Sequence, residues 1–376
     1  MTPRDLAPAN VREIAPYVPG KPIAETAREL GLAQADILKL ASNENPLGSS
    51  PKAIAALRGA LGELAWYPDG SGHDLKAAIS AKLGVQPSNI VLGNGSNDVL
   101  ELVARAFLTA SDSAVYSRHA FMVYPLVVQA IGAKHLEIPA RDYGHDLEAM
   151  AAAVRADTKI VFLANPNNPT GTFLAWDAVR AFVERMPPTV LVVLDEAYGE
   201  YLSPERQSPS AGWIGRYPNL VVSRTLSKAY GLAGLRVGFG LAHPEVAELM
   251  NRVRQPFNVN HLAMVAACAA LGDEAFIAES RRVNAAGLLQ LAEGFRRLGL
   301  DHIPSSGNFV AVRVGDAARV YASLLRQGVI VRPIANYGMP EYLRVTVGRP
   351  EQNERFLAAL ASSLGGEGPG SAPIRP

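Results

Sequence analysis

The amino-acid sequence predicts an α/β protein: a large domain with a mostly parallel sheet between helices, and a smaller α+β domain after it. Three observations carry this. Short, wholly apolar runs alternate with helical patterns through the middle of the chain, as in parallel sheets buried on both faces. After Gly299 the pattern changes to strands spaced more closely. And 376 residues are more than one hydrophobic core commonly serves.

Taken in order, residues 1 to about 30 are interrupted by prolines. The segment Pro16-Tyr17-Val18-Pro19-Gly20-Lys21 cannot be a regular helix. This stretch reads as an extended arm. The buried-strand runs then follow: Asn89-Ile90-Val91-Leu92, Ser113-Ala114-Val115-Tyr116, Thr158 to Leu163, Val190 to Leu194 and Leu220-Val221-Val222. From Pro244 to Leu271 the pattern is helical, broken at Gln255-Pro256-Phe257, and a further helix runs from Ala275 to Leu298. Phe309 to Val312, Val329 to Val331 and Tyr342 to Val347 read as strands of the smaller unit. The expected organisation is an arm over 1–45 that packs with the small domain, a large domain over 46–270, a small domain over 271–364, and a disordered tail over 365–376, which is rich in Gly, Pro and Ser.

Bulk properties exclude several classes. A composition of 48% apolar and 19% charged residues is that of a soluble globular protein. A net charge of +1 gives no footprint for a nucleic-acid partner. Cys268 is the only cysteine, so there is no disulfide framework, and the seven histidines lack metal-ligand spacing. There is no basic-then-apolar leader and no apolar run near ~18 residues, so no membrane partner is expected and a cytoplasmic protein is.

The chemistry concentrates at Lys228, in Ser223-Arg224-Thr225-Leu226-Ser227-Lys228-Ala229-Tyr230-Gly231, with Arg236 eight positions on. This lysine lies between an apolar strand and a Gly/Leu-rich stretch, not among other charges. Burial lowers an amine's pKa and makes it a nucleophile. Such a lysine serves Schiff-base chemistry, and the aldehyde of pyridoxal 5'-phosphate (PLP) is the leading candidate. Thr225, Ser227 and Arg236 would then hold the cofactor phosphate. The plainer alternative is a lysine reaching out from a helix start.

Three further segments converge on the same group. Asp195 ends a buried strand, where open α/β sheets bind ligands, and would pair with the pyridine nitrogen; Tyr198 would reach the ring's phenolic oxygen. Asn165-Pro166-Asn167-Asn168-Pro169-Thr170-Gly171 is a constrained turn that would aim Asn168 at the same oxygen. Gly93-Asn94-Gly95-Ser96-Asn97 opens a helix, so Ser96 and Asn97 would meet the phosphate at its N-terminus. Taken singly, Asp195 also reads as a helix cap, and the two turns as ordinary turns.

With these motifs in place, the chain resembles the fold-type-I PLP-dependent aminotransferases. Within them it is similar to the histidinol-phosphate aminotransferase family, in its paralogous second type. The likeness runs from Leu40-Ala41-Ser42-Asn43-Glu44-Asn45-Pro46 to Leu343-Arg344-Val345-Thr346-Val347-Gly348. It implies the PLP-dependent transferase fold and PLP as cofactor, with Lys228 as its covalent anchor, Asp195 as the pyridine partner and Arg236 as a phosphate ligand. It also implies a homodimer in which Tyr67 reaches the neighbouring subunit's cofactor phosphate. Phe121 matches the aromatic ring stacked on PLP, although Arg118-His119-Ala120-Phe121 departs from the family's usual pattern. That makes His119 a residue behind the site. Arg344 matches the arginine for the substrate α-carboxylate, and Tyr17, Asn43 and Arg332 are candidates for the substrate phosphate.

The implied reaction moves the amino group of histidinol phosphate to 2-oxoglutarate, giving imidazole acetol phosphate and glutamate in histidine biosynthesis. The long, apolar loop Pro333 to Pro340 supports an alternative, in which Asn336-Tyr337-Gly338-Met339 shape a pocket for phenylalanine or tyrosine. For Arg332 the plainer alternative is a surface ion pair. More remote are a threonine-phosphate decarboxylase and a non-catalytic binding module. The latter would be expected to lack Lys228 or Asp195, and both are present.

Overall fold

The computed structural model describes residues 2–17 and 19–365. Its centre is a seven-stranded sheet in the order Ile90–Gly93, Gly238–Ala242, Leu220–Thr225, Leu191–Asp195, Thr158–Ala164, Ser113–Ser117, Lys134–Ile138. The last five strands run parallel, and Gly238–Ala242 runs antiparallel to both of its neighbours. Each strand divides its side chains between two cores, as the period of two requires. Val192, Leu194 and Val222 join Ile79, Val179 and Ala263 on one face; Val193, Val221 and Phe162 join Leu100, Tyr124 and Met250 on the other. A fully buried Val or Leu of this kind contributes about 1.5–3 kcal/mol relative to exposure.

Five of these strands match the apolar runs of the sequence. Two do not. Lys134–Ile138 is an edge strand with three side chains exposed, Lys134, His135 and Glu137, so it carries no buried run. Gly238–Ala242 is fully buried, yet it is half small residues. Its glycines are there for clearance: a Cβ on Gly238 would stand 2.7 Å from the backbone nitrogen of Ser96, and one on Gly240 would be 2.9 Å from Val99. The helix Ser96–Phe107 can therefore lie directly on the sheet.

The arm differs from the extended reading. It holds a short helix, Ala9–Arg12, and a two-turn helix, Ile23–Leu30, which begins after Pro22 and stops at Gly31 in the left-handed conformation (φ 66°). The prolines mark the ends of these helices and do not abolish them. Asn10 donates to the carbonyls of Gln129 and Ala130 on the helix Val123–Ile131. Leu38–Lys39 pairs in parallel with Val329–Ile330.

Over the last third of the chain, Arg332–Pro333, Tyr342–Thr346, Phe309–Arg313 and His302–Ile303 form an antiparallel four-stranded sheet. Helices Glu274–Arg297, Ala317–Arg326 and Pro350–Leu364 cover it around Leu291, Phe295, Val310, Leu343 and Phe356. Gly365 closes the last helix; the remainder of the expected tail, 366–376, lies outside the described residues.

Candidate active site

The carboxyl ends of the parallel strands open into one cavity of about 330 Å³. Asp195 and Thr225 are the last residues of adjacent strands, and Lys228 follows three residues after Thr225. Of the residues singled out from the sequence, Tyr17, Asn43, Ser96, Asn97, Phe121, Asn168, Asp195, Tyr198, Thr225, Ser227, Lys228, Arg236, Arg332 and Arg344 all line this cavity. Tyr67 does not. It is 83% exposed, stacked on Phe257 with ring centres 4.8 Å apart, next to Trp66, which is 77% exposed.

Lys228 keeps part of its surface open to the cavity while the protein encloses the rest. Its Nζ donates to the carbonyl of Ser42 at 3.1 Å and stands 5.9 Å from the ring centre of Tyr198. Burial, reinforced by the charges of Arg344 and Arg236, lowers its pKa to about 8, against the opposing pull of Glu44 and Asp195. A substantial share of this amine is therefore neutral and nucleophilic at physiological pH.

One end of the cavity gathers donors suited to an anion. Ser96 is the first residue of a twelve-residue helix, where backbone N–H groups and the dipole favour an anion. Arg236 Nη1 donates to Ser227 Oγ at 3.2 Å, and Thr225 Oγ1 accepts from the Ser227 backbone at 3.2 Å. Gly95 (φ 84°) leaves the space the guanidinium needs, since a Cβ there would sit 2.3 Å from Arg236 Nη2. This set of donors fits the phosphate of PLP.

The middle fits its ring. Asp195 is 5% exposed, and burial raises its pKa to about 6, opposed by hydrogen bonds from Tyr124 and the Ala197 backbone. Tyr124 Oη donates to Oδ2 at 2.9 Å and Ala197 N–H to Oδ1 at 3.2 Å. The Tyr198 hydroxyl accepts from Asn43 Nδ2 at 2.8 Å. Asn43 is in turn fixed by its backbone N–H, which donates to Thr346 Oγ1 at 2.9 Å.

The other end is cationic. Arg344 donates through Nη1 to Asn168 Oδ1 at 2.5 Å and through Nη2 to the Ala41 carbonyl at 2.9 Å, and its buried Nε has no hydrogen-bond partner among the described residues. Arg332 is 8% exposed, with its guanidinium 5.4 Å from the Tyr17 ring centre. It is therefore part of the cavity wall and not a surface residue.

Two expectations change. None of residues 333–340 lines the cavity; Tyr337 and Met339 instead pack with Ile303, Ala311 and Tyr342 in a separate apolar cluster. Asn336, Tyr337 and Gly338 border a small cavity with His119, separate from the one that holds Lys228, so the expected aromatic pocket is not part of the Lys228 cavity. His119 explains part of this: its Nδ1 lies 2.6 Å from the Tyr337 carbonyl, and its own carbonyl accepts from Asn167 Nδ2 at 2.8 Å. It ties that loop to the Asn168 turn from behind the site. The residue that sequence reasoning missed is Tyr124. Its signal was there, a lone hydroxyl in the apolar run Val123-Tyr124-Pro125-Leu126-Val127-Val128, which when buried demands a partner.

Residues 35–360 match the family model described as aminotransferase class I and II. The chain is 62% identical to "Histidinol-phosphate aminotransferase 1" of Thiobacillus denitrificans over 95% of its own length and 93% of the relative's. It is 60% identical to "Histidinol-phosphate aminotransferase 2" of Ralstonia nicotianae, covering 96% and 97%. Among solved structures, the histidinol-phosphate aminotransferase of Sinorhizobium meliloti in complex with pyridoxal-5'-phosphate superposes with a TM-score of 0.88 at 30% identity, covering 96% and 97%. A strand-end cavity built around a lysine and an aspartate, and sequence identity this high over nearly the whole length, lead to one conclusion: the chain belongs to the class I and II aminotransferases, in the histidinol-phosphate aminotransferase family.

Proposed function

We propose that this chain is a PLP-dependent enzyme that transfers the amino group of histidinol phosphate to 2-oxoglutarate, in the cytoplasm and as a homodimer. One observation carries the reading beyond the family: two buried guanidiniums, Arg332 and Arg344, line the cavity that holds Lys228. The donor brings a phosphate and the acceptor two carboxylates, so each presents anionic oxygens that a pair of arginines can read. A phenylalanine side chain would leave Arg332 facing an apolar group at a desolvation cost.

The positions support a division of labour. Ser96, Asn97, Thr225, Ser227 and Arg236 hold the cofactor phosphate. Asp195 holds the proton of the pyridine nitrogen, Asn168 and Tyr198 orient the phenolic oxygen, and Phe121 packs against the ring. When bound, PLP supplies an aldehyde for the amino donor and an electron sink for the pair released at the donor's α-carbon. Lys228 Nζ would anchor the cofactor covalently, and its amine when free would take up and give back the proton moved from the donor's α-carbon. Arg344 grips the α-carboxylate of amino-acid substrates, and Arg332, with Tyr17 and Asn43, the distal anion. The exposure of Tyr67 and Trp66 outside their own cavity supports a role for Tyr67 at a partner's phosphate.

The test is a half-reaction panel. Histidinol phosphate, phenylalanine, tyrosine and threonine phosphate are each mixed with the PLP-loaded protein, and loss of the visible band is timed. Histidinol phosphate should react fastest, and Lys228→Ala should lack the lysine-linked band altogether. Faster conversion by phenylalanine would reject the substrate assignment; a normal band in Lys228→Ala would reject the site.

A further inference from the structure

Tyr124 has no place in the division of labour above, yet it is built into it. Its side chain is fully buried on the helix Val123–Ile131, at the back of the cavity. The ring is stacked on Phe162 with centres 4.8 Å apart and planes 7° from parallel, and it meets Phe121 edge-on at 5.9 Å. Clamped in this way, the phenol points its hydroxyl at Asp195 Oδ2, 2.9 Å away, while the Ala197 N–H holds Oδ1. Each oxygen of the carboxylate thus has one fixed donor, and the plane of the group is set before anything enters the cavity. A buried hydroxyl held against a carboxylate is a stronger bond than a neutral pair and cannot be exchanged for water.

We propose that Tyr124 is a positioning residue for the reaction, which keeps Asp195 ionised and aimed at the ring nitrogen and seats Phe121 against the same ring. The inference rests on the PLP reading of the cavity. Tyr124 itself stays a donor: burial and the neighbouring Asp195 carboxylate push its pKa well above the ordinary tyrosine value, so it does not give up its proton. The other titratable groups acting on Asp195 are Glu196 beside it, which disfavours its ionised form, and Lys228 across the cavity, which favours it. Tyr198 and Tyr337 face Tyr124. Among these groups the Tyr124 hydroxyl is the hydrogen-bond donor to the carboxylate, so its removal should raise the proton affinity of Asp195. A proton that belongs on the pyridine nitrogen would then be shared with Asp195, and the ring would lose part of its pull on electrons.

The experiment is Tyr124→Phe in the full-length PLP-loaded protein, with Phe162→Leu as a control that loosens the stack and keeps the hydroxyl. In Tyr124→Phe, kcat should fall about tenfold or more and KM change far less, while the acid limb of the kcat profile moves up by about one pH unit, the size of a lost charge-assisted hydrogen bond. Phe162→Leu should lower the unfolding midpoint and leave that limb where it is. A second readout needs no cofactor: in the PLP-free protein labelled with ¹³C-aspartate, the Asp195 carboxyl should titrate at a higher pH in Tyr124→Phe than in the natural chain. An unmoved acid limb, an unmoved carboxyl titration, or the same shift in Phe162→Leu overturns the inference. If the natural protein forms no visible band with PLP, the cofactor reading has failed, and the carboxyl titration still decides the role of Tyr124.

Discussion

Asp195→Asn in the PLP-free protein isolates the cost of holding a carboxylate in the cavity floor. Asp195 is 5% exposed, and its folded pKa is raised from 3.8 to about 6, burial being the largest cause. An acid whose pKa rises on folding binds its proton more tightly in the native state. Stability therefore falls as pH climbs from about 4 to about 6 and is flat above that. A rise of about two pH units at ~1.4 kcal/mol each amounts to about 3 kcal/mol. Asparagine has no charge to desolvate but cannot accept from both Tyr124 and the Ala197 N–H with its amide nitrogen turned to either, which costs about 1 kcal/mol at every pH. Urea unfolding of both proteins at half-unit steps from pH 4 to 7.5 gives the answer as a difference. The asparagine variant should gain about 3 kcal/mol on the natural chain across that range. His145, whose pKa burial depresses to about 4, destabilises the fold as pH drops below its ordinary value, but it is present in both proteins and cancels. A difference that does not change with pH would refute the account of Asp195 as a buried, costly charge.

Two further outcomes follow from the two ends of the cavity. Gly95→Ala forces a side chain to within 2.3 Å of Arg236 Nη2 at φ 84°, so PLP affinity measured by absorbance titration should drop by about tenfold or more, with the far-ultraviolet spectrum unchanged. Arg344→Lys keeps the charge but loses the fork held by Asn168 and Ala41. It should lower kcat/KM for 2-oxoglutarate by roughly 10- to 100-fold, and retention of natural kinetics would argue against carboxylate binding there.

What could be read in advance depended on whether a residue's role was written locally. The strand ending at Asp195 and the run around Lys228 are contiguous, apolar then polar, and the unbroken apolar run announced both. Lys134–Ile138 escaped because an exposed edge strand needs no apolar run, and Gly238–Ala242 because its small residues answer to a helix more than a hundred residues earlier. The helix Ile23–Leu30 was hidden by prolines that turned out to lie outside its ends. The Ser42 carbonyl and Thr346 are invisible in the same sense: each contributes a single polar atom at a point set by packing. The loop 333–340 misled for the opposite reason, since its aromatic content serves an apolar cluster of its own.

The bond from the Asn43 backbone to Thr346 spans 303 residues of chain, and Asn43 in turn holds Tyr198 while its neighbour Ser42 accepts from Lys228. Contacts of such long range form late, because the chain between them must be closed first. The strands of the seven-stranded sheet are all present once Ala242 has emerged, and Asn10 can already reach the helix Val123–Ile131, but Asn43 lacks its anchor until the strand Tyr342–Thr346 has emerged. A nascent chain stalled before that strand would carry Lys228 and Tyr198 with Ser42 and Asn43 not yet fixed beside them. Competence to capture the cofactor is thus one of the last properties the polypeptide acquires, and a few missing residues at the far end would be felt first at a lysine more than a hundred positions away.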